Sequence, residues 1–548
     1  MSPLALFVAA CLPCAAVAQS GGVALPSVAE RGYVADPTIE VRGFRVLQVG
    51  EHPDSGITAE TMQALADARF AALAGGQPRA TLSFDQLQEV AAAITAAYRD
   101  AGFIVSTAYL PEQTVEDGIV EIHVLEGRVG RVVVQGAGRY RPGTIAAPLE
   151  RLQGRILSER ELKDALLYAR DLPGVSVSSV LQPGEAVGET DIVVVAREAD
   201  RPVTVSVGAN NYGTDLTGRY RAQLGLAWTS PLGIGDAFNL SYAHAFDPSQ
   251  SRLGALSYSV PVRPGSGVSG ILGYSRSELQ VRSGSFGALG ITGPTSIAYA
   301  GGDWKFVNRD DLQMQTSLRY IRERSRLSAL GFALSDQEFD VVEAGFTLRR
   351  IDTRWRGVDL LQTSLRRAVQ DRSLDPDLIT PERESDFLVA RASYARMQYL
   401  SRTQRLLLRL GGQYSRDPLV PMEQFSVGGP DSVRAFGVSE GLGDRGYHAA
   451  FEYHVDAPGF AGKTSPFGGR PWRELLEFEL FVDHARVLPA AGVRGDALTL
   501  QGAGAGLTFR LPDAYGFEFR LAAATPVGGT RSPDGDDLRV WARLGMTF

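Results

Sequence analysis

The chain has 548 residues, of which 44% are hydrophobic and 21% charged, so it is neither disordered nor short enough for one ordinary globular core. No internal run of about 18 apolar residues occurs, so no transmembrane helix is indicated and the chain is either soluble or a membrane barrel. Its net charge is −7 without a polybasic stripe, which argues against nucleic acid as a partner.

The first 18 residues are typical of a secretory signal peptide. Leu4 to Val17 is an apolar run of suitable length, and the sequence Ala-Val-Ala at 16–18 offers a small-residue cleavage site. No Lys or Arg precedes the run, so a buried N-terminal helix is the alternative. Because Cys11 and Cys14 both lie here, the mature chain would have no thiol for a disulfide, a metal site or a nucleophile.

Residues 19–38 are short and polar, which predicts a flexible lead-in, and a first folded domain is predicted at 39–126. In it Ser83, followed by Gln86, fits a helix capping box. The periodicity predicts a strand, two helices and two strands, at Ile39 to Gln48, Thr58 to Leu73, Phe84 to Arg99, Ile104 to Leu110 and Ile119 to Leu125.

The same β-α-α-β-β order recurs at 127–200, where Ser158 is predicted to cap the second helix with Glu161 three residues further on. Two such successive units indicate an internal repeat, the alternative being two unrelated small α+β domains. The predicted elements are Val129 to Val134, Pro142 to Leu152, Glu159 to Arg170, Val175 to Leu181 and Thr190 to Val195.

From residue 201 to residue 548 helical patterns disappear, and segments of roughly ten alternating residues follow one another. The length predicts a transmembrane antiparallel β-barrel of about 16 strands. A large soluble β-sandwich would also alternate, but would rarely place so many arginines opposite aliphatic residues. The last segment is the clearest, with one apolar face made of Leu538, Val540, Ala542, Leu544, Met546 and Phe548.

One interruption of the strand pattern runs from Gln424 to Gly446, with the sequence QFSVGGPDSVRAFGVSEGLGDRG. Its 23 residues are too many for a hairpin turn, and they include six glycines and one proline. Two arginines, two aspartates and one glutamate give the stretch groups that could bind another surface. We therefore predict a functional loop in the second half of the barrel.

A strand after this loop carries an acidic face. Its apolar residues alternate with carboxylates that should face the lumen, namely Glu477, Glu479 and Asp483, joined by Glu452 from an earlier segment. A loop folded into the barrel would meet this wall, where the planar guanidinium of Arg434 could bind a carboxylate through two hydrogen bonds. The alternative is that Arg434 and Asp483 are each solvated independently.

The loop contains a motif that resembles the lid-loop signature of the two-partner secretion transporters. Gly428 and Gly429 precede the motif, which is usually written VRG followed by an aromatic residue and here reads Val433-Arg434-Ala435-Phe436. Ala435 replaces the usual glycine, which raises the question of whether the backbone fits as in the family.

The acidic strand carries a second motif of the same family. Phe481 and Asp483 are similar to the F-x-D-x-G motif, whose aspartate partners the loop arginine, and Ala485 stands where glycine is usual. The resemblance extends to Asn211-Tyr212-Gly213 and to Pro231 through Asp236, in the order typical of the family. Phe548, with Met546 and Leu544, resembles the C-terminal signal read by the barrel-assembly machinery.

The resemblance covers nearly the whole mature chain and implies a TpsB-type member of the haemolysin and filamentous-haemagglutinin secretion-activation family, within the POTRA-plus-barrel outer-membrane superfamily. It implies two periplasmic POTRA-like domains and a barrel in the outer membrane of a Gram-negative bacterium. The implied partners are a secreted exoprotein with an N-terminal two-partner secretion domain, outer-membrane lipid and, during biogenesis, the barrel-assembly machinery. The implied activity is transport without ATP, cofactor or enzymatic step.

Other interpretations remain open at this stage. A barrel-assembly insertase is the main alternative, although such proteins usually carry more POTRA units. A membrane-anchored hydrolase would use the G-x-S-x-G sequence at 437–441, but neither the strand nor the helix that this motif requires is predicted there. The glycine–alanine run at 502–506 is interpreted as room in the lumen rather than as a nucleotide loop. The six histidines show no metal-ligand spacing, so neither a metal nor catalytic residues are predicted.

Overall fold

The computed structural model describes residues 38–214, 216–281, 288–373, 386–529, 531–532 and 535–548. The predicted signal peptide at 1–18, and all of the lead-in except Thr38, lie outside these residues. Two compact units are present, one with residues 38–95 and 108–124 and the other with residues 96–107 and 125–548. Of the helices in the described part of the chain, none is long and apolar enough to cross a membrane.

The first module has the element order β-β-α-β-α-β-β. Its elements are β1 (Thr38–Val41), β2 (Gly43–Leu47), α1 (Ala59–Leu73), β3 (Ala80–Ser83), α2 (Phe84–Asp100), β4 (Thr107–Tyr109) and β5 (Ile119–Leu125). β1 pairs with β3, and β2 pairs in parallel with β5. The helix α1 buries Met62, Ala66 and Phe70, and the Phe70 ring lies 6.0 Å from that of Phe44.

The sequence interpretation of this module was right for the helices and partly wrong for the strands. The predicted first strand is divided at Arg42, whose N–H donates to the carbonyl of Gly118, and the strand at Ile104 to Leu110 shortens to β4. The short strand β3 was missed. The capping box is confirmed, because Ser83 N–H donates to Gln86 Oε1 at 2.9 Å and Gln86 N–H donates to Ser83 Oγ at 3.4 Å.

The second module has the predicted β-α-α-β-β order. Its elements are β6 (Arg128–Gln135), α3 (Pro142–Glu150), α4 (Glu159–Arg170), β7 (Val175–Pro183) and β8 (Glu189–Glu198), and the sheet order is β6-β8-β7. Ser158 occupies the N-cap of α4, but its side chain makes no capping hydrogen bond, so the predicted cap was wrong in this respect. Glu161 instead accepts a hydrogen bond from Arg155 at 2.6 Å, which removes it from any reciprocal cap.

Sixteen of the eighteen remaining described strands form a closed antiparallel barrel, as the sequence predicted. In chain order the barrel strands are β9 (Val203–Asn210), β10 (Tyr220–Thr229), β11 (Ala237–Phe246), β12 (Gln250–Arg263), β13 (Val268–Gln280), β14 (Thr292–Asn308), β15 (Leu312–Ala329), β16 (Phe332–Asp352), β17 (Gly357–Asp371), β18 (Leu388–Tyr399), β19 (Gln404–Ser415), β22 (Arg445–Asp456), β23 (Leu476–Leu488), β24 (Leu498–Leu511), β25 (Phe517–Pro526) and β26 (Arg539–Thr547). Two short strands, β20 (Phe425–Val427) and β21 (Gly441–Gly443), pair with each other outside this ring.

Alternation along the strands sorts side chains between lipid and lumen. On β23, Leu480 and Val482 are 60% and 55% exposed, whereas Glu479 and Asp483 are buried toward the interior. The ring closes where β26 pairs with β9, and the backbones of Phe548 and Val205 exchange hydrogen bonds of 2.8 and 3.1 Å. The apolar terminal face predicted from the sequence thus lies outward, since Leu538 and Val540 are exposed while Trp541 is buried.

The second module and the barrel belong to the same unit and touch through the barrel turns. Asp171 accepts hydrogen bonds from Lys305 Nζ at 2.7 Å and from Asn308 Nδ2 at 2.8 Å. The turn between β10 and β11 is built around the buried Asp236, which accepts a hydrogen bond from Tyr258 Oη at 2.8 Å. The contacts of Asp171 hold one end of the barrel, the end at which β10 stops and β11 begins, beside the second module.

Candidate functional site

The loop between β19 and β22, residues 416–444, lies inside the barrel and is called the lid loop below. It includes the hairpin of β20 and β21. The predicted range of 424–446 therefore starts within the loop, and its last two residues belong to β22. Val433, Ala435 and Phe436 are fully buried in a cluster with residues of β23, β24 and β25, so this loop is packed against the barrel wall.

The turn that precedes the Val-Arg-Ala-Phe motif depends on two glycines. Gly428 and Gly429 have φ angles of 98° and 93°, which side chains rarely adopt. A Cβ on Gly428 would lie 2.3 Å from the carbonyl oxygen of Gly437. The N–H of Gly429 donates to the carbonyl of Phe436 at 3.1 Å, which folds the motif back on itself and presents Arg434 to the wall.

Arg434 forms a bidentate ion pair with Asp483. Its Nε donates to Asp483 Oδ2 at 2.9 Å and its Nη2 to Oδ1 at 2.6 Å, while its backbone N–H donates to Oδ2 at 3.0 Å. Arg434 is 1% exposed and Asp483 is fully buried. The structure thus brings together the two residues singled out from the sequence, through both main chain and side chain.

Other buried groups also contact Arg434 and complete its binding site in the barrel wall. Arg434 Cζ lies 3.4 Å from the centre of the Phe481 ring, a cation–π arrangement, and Nη2 lies 3.0 Å from Glu452 Oε1. Trp541 Nε1 donates to the carbonyl of Arg434 at 2.7 Å. Residues from β22, β23 and β26 therefore bind the same loop residue. We call the contacts of Arg434 with Glu452, Phe481, Asp483 and Trp541 the tip contact.

The acidic wall is balanced by arginines of its own. Arg409 binds Glu452 at 2.7 Å and Arg520 binds Glu479 at 2.8 Å. His454 lies between two carboxylates, 2.9 Å from that of Glu452. Glu452, His454 and Glu479 bring donor atoms within 4.8 Å of one another, as metal ligands would, but ion pairs and hydrogen bonds already occupy all three.

The glycines of the 502–506 run make room for named partners. Gly502, Gly504 and Gly506 stand opposite Asp483, Phe481 and Glu479 in the register of β23 and β24. A Cβ on Gly504 would lie 2.5 Å from the Phe481 ring, and one on Gly506 would lie 2.5 Å from the Glu479 carboxylate. The sequence interpretation assigned this run to the lumen but did not identify what fills the room.

Gly502 also bears on the alanine that replaces the usual lid-loop glycine. A Cβ on Gly502 would lie 2.6 Å from the Cβ of Ala435, so the methyl group of Ala435 occupies the space that Gly502 leaves. Ala435 and Ala485 have no positive φ, and both are fully buried in the same apolar cluster. Neither alanine requires a backbone conformation reserved for glycine.

The serine of the G-x-S-x-G sequence lies in the lid loop just before β21. Ser439 Oγ shares a hydrogen bond of 2.9 Å with Ser426 Oγ, and Ser439 has a φ of 57°. No helix follows it, because β21 begins at Gly441. The local structure therefore differs from the strand-to-helix elbow on which a hydrolase nucleophile depends.

The predicted Asn-Tyr-Gly motif at 211–213 lies where the barrel closes. Asn211 Nδ2 donates to the carbonyl of Val540 at 2.8 Å, and the N–H of Ala542 donates to Asn211 Oδ1 at 2.8 Å, which extends the closing seam beyond β9. Tyr212 packs edge-on against Trp541 at 5.7 Å. The Asn-Tyr-Gly motif is thereby linked to the tip contact through Trp541.

Comparisons with known proteins agree with this architecture. A family model described as haemolysin secretion/activation protein ShlB/FhaC/HecB matches residues 188–467, and a ShlB-type POTRA domain matches residues 52–127. The heme/hemopexin transporter protein HuxB of Haemophilus influenzae is 23% identical over 503 residues, which span 85% of this chain and 82% of HuxB.

Two solved structures share the fold. CdiB from Escherichia coli aligns with a TM-score of 0.69 at 21% identity, covering 95% of this chain and 93% of CdiB. BamA from Haemophilus ducreyi lacking POTRA domains 1–3 aligns with a TM-score of 0.55 at 15% identity, covering 93% of this chain and all of that structure. Because the first family model spans just over half of the chain, the protein belongs to the haemolysin secretion/activation protein family ShlB/FhaC/HecB.

Proposed function

We propose that this protein secretes one partner exoprotein through its barrel, in the manner of two-partner secretion. As a member of its family it is a transporter of the Gram-negative outer membrane with POTRA modules in the periplasm. The observation that carries the proposal is the lid loop, a long segment held inside the barrel by Arg434 on Asp483. A segment bound this way can hold the lumen closed and give way to an unfolded chain.

The cargo would be recognised by the periplasmic modules and moved without ATP or an enzymatic step. Each module has a three-stranded sheet with two outer strands, β2 and β4 in the first module and β6 and β7 in the second. An extended N-terminal secretion domain could add a strand at such an edge, where main-chain hydrogen bonds provide affinity. Outer-membrane lipid would surround the barrel, and the barrel-assembly machinery would read its C-terminal strand, including Leu544, Met546 and Phe548.

Deletion of the first module tests the proposal. We expect cells that produce the protein without residues 39–126, together with its partner exoprotein, to retain the exoprotein in the periplasm, because the sheet edges of the first module are then gone. The barrel should still insert, which is checked by faster migration of the unheated protein on a gel. Normal secretion by the deletion variant would contradict the proposal. A general loss of other outer-membrane barrels on depletion of the full-length protein would favour the insertase alternative.

A further inference from the structure

The lid loop has a second buried charged residue, Glu423, which is 1% exposed. One carboxylate oxygen accepts a hydrogen bond from Arg366 Nη2 at 2.7 Å, and the other accepts one from Arg391 Nη2 at 2.7 Å. Its backbone carbonyl accepts from Arg391 at 3.1 Å and from Gln413 Nε2 at 2.8 Å. Side chain and main chain of one loop residue are thus both bound, as they are at Arg434.

Glu423 binds a different arc of the barrel from Arg434. Five consecutive strands, β15 to β19, each contribute one lumen-facing residue to its surroundings, in the order Glu323, Glu343, Arg366, Arg391 and Gln413. Arg366 also binds Glu323 at 2.6 Å and Glu343 at 2.8 Å. These contacts cross-link the wall itself, so the wall offers a rigid seat for the loop.

Neighbouring loop residues reinforce the same place. Leu419 and Val420 are buried with Phe339 and Phe387 in an apolar cluster on this arc. At the far end of the loop, Asp444 accepts hydrogen bonds from the N–H of Leu419 at 2.9 Å and from the N–H of Ala490 at 2.7 Å. The two ends of the lid loop are therefore joined beside Glu423, and we call Leu419, Val420, Glu423 and Asp444 the root contact.

We propose that Glu423 is a positioning residue that aims Arg434 at Asp483. The root contact determines where the loop leaves the wall, and the glycine-rich segment beyond it would otherwise sample many conformations. Without Glu423 the wall retains two carboxylates and two guanidinium groups, so its own charge is balanced and the barrel should fold. The effect of losing Glu423 is then on the loop, through the population of states in which Arg434 binds. The inference rests on the proposed function only for its consequence in secretion.

Channel recordings in planar bilayers test the inference without any cargo. We expect Glu423→Gln to increase the frequency of channel opening by about tenfold, a factor that corresponds to about 1.4 kcal/mol. In the background of Asp483→Asn, where the tip contact is already broken, the same change should add less than about twofold. Asp431→Asn is the matched control, since Asp431 is an exposed carboxylate of the same loop.

A second variant guards against a folding defect. Arg391→Lys keeps the positive charge, but one ammonium group cannot replace a guanidinium whose Nη2 binds the carboxylate and the carbonyl of Glu423 while its Nε binds Gln413 Oε1 at 2.7 Å. Arg391→Lys should also increase the frequency of channel opening, but by less than Glu423→Gln does. The inference is overturned if Glu423→Gln and Arg391→Lys both behave like Asp431→Asn, or if the effects of Glu423→Gln and Asp483→Asn simply add. Because no cargo is present, a negative result here is distinct from failure of the secretion proposal.

Discussion

The tip contact and the root contact hold one loop by opposite charges on two arcs of the same barrel. At the tip, a loop arginine meets carboxylates of β22 and β23, whereas at the root a loop glutamate meets arginines of β17 and β18. The tip contact also includes the ring face of Phe481 and the indole N–H of Trp541, so Arg434 binds there only in one defined orientation. The root adds cross-links within the wall and apolar packing.

The difference assigns separate tasks to the two contacts. Of the described side chains, only Arg434 forms an ion pair with Asp483, so releasing the tip leaves a buried carboxylate without a cation. Releasing Glu423 leaves a balanced wall. The tip contact therefore resists opening of the channel, whereas the root contact positions the loop so that the tip contact forms. Variants at the two places should differ in magnitude accordingly.

The largest effect is expected from breaking the tip ion pair. Because Arg434 and Asp483 are almost fully buried, removing one partner should cost about 3–5 kcal/mol of stability. An ion pair exposed to water in the lumen would contribute only about 1 kcal/mol. We expect Arg434→Ala to reduce secretion by more than about tenfold, because the glycine-rich loop is then no longer held in one conformation against the wall and can obstruct the path of the exoprotein. The measurement is the amount of exoprotein in the medium per unit of inserted transporter.

A double-mutant cycle sharpens this prediction. Asp483→Asn alone should produce a similar defect, and the double variant should be little worse than either single one, because the two residues act through one contact. Heat-modifiable migration on a gel verifies insertion, and Asp431→Asn again serves as the control. If the two single effects add, the pair does not act as a unit and the tip contact has been misassigned.

The tip contact could largely be predicted from local sequence, whereas the root contact could not. Alternation in strands has a period of two, so the lumen side of Asp483 and the outward side of Val482 were readable directly. Arg434 was found because it sits in a conspicuous glycine-rich stretch that matches a family motif. Glu423 lies one residue before that stretch, and its partners come from strands whose register is a tertiary property.

The errors in the modules have similar causes. The strand β3 is only four residues long, and it merges in sequence with the capping box of α2, so no alternation could be recognised. Ser158 has the residue type of a cap, but Glu161 is taken by Arg155, a competition that spacing alone does not reveal. Element type was therefore more predictable than the exact partners of each polar group.

The next effect in size concerns the shape of the tip. Gly502→Ala should push the loop away, because the new methyl group would lie 2.6 Å from that of Ala435. Overpacking of this kind typically costs about 1–3 kcal/mol. Channel opening should therefore increase by about tenfold.

Moving the methyl group back provides the decisive control. Ala435→Gly combined with Gly502→Ala should restore opening close to that of the parent protein, since the total volume at the contact is then unchanged. Ala505→Val, on the exposed face of the same strand, should have no effect on opening. Failure of the double variant to recover would mean that the two positions do not share one space.

The smallest effect should come from Trp541→Phe, which keeps an aromatic ring and removes only the Nε1 donor. The carbonyl of Arg434 would lose its 2.7 Å hydrogen bond in a buried place, at a cost of about 1 kcal/mol for a neutral bond. Channel opening should then increase by about fivefold. Trp304→Phe is the matched control, because Trp304 is a half-exposed residue on β14 outside this contact.

The indole donor and the ion pair act on the same loop residue from different strands, so their effects should be coupled. In the Asp483→Asn background, Arg434 is no longer fixed and its carbonyl leaves the indole, so Trp541→Phe should add little to channel opening. A full fivefold increase in that background would show that Trp541 supports β26 rather than the loop. In that case Trp541 would not belong to the tip contact. The resistance of the tip to opening would then come from the Arg434–Asp483 ion pair and from the space that Gly502 provides.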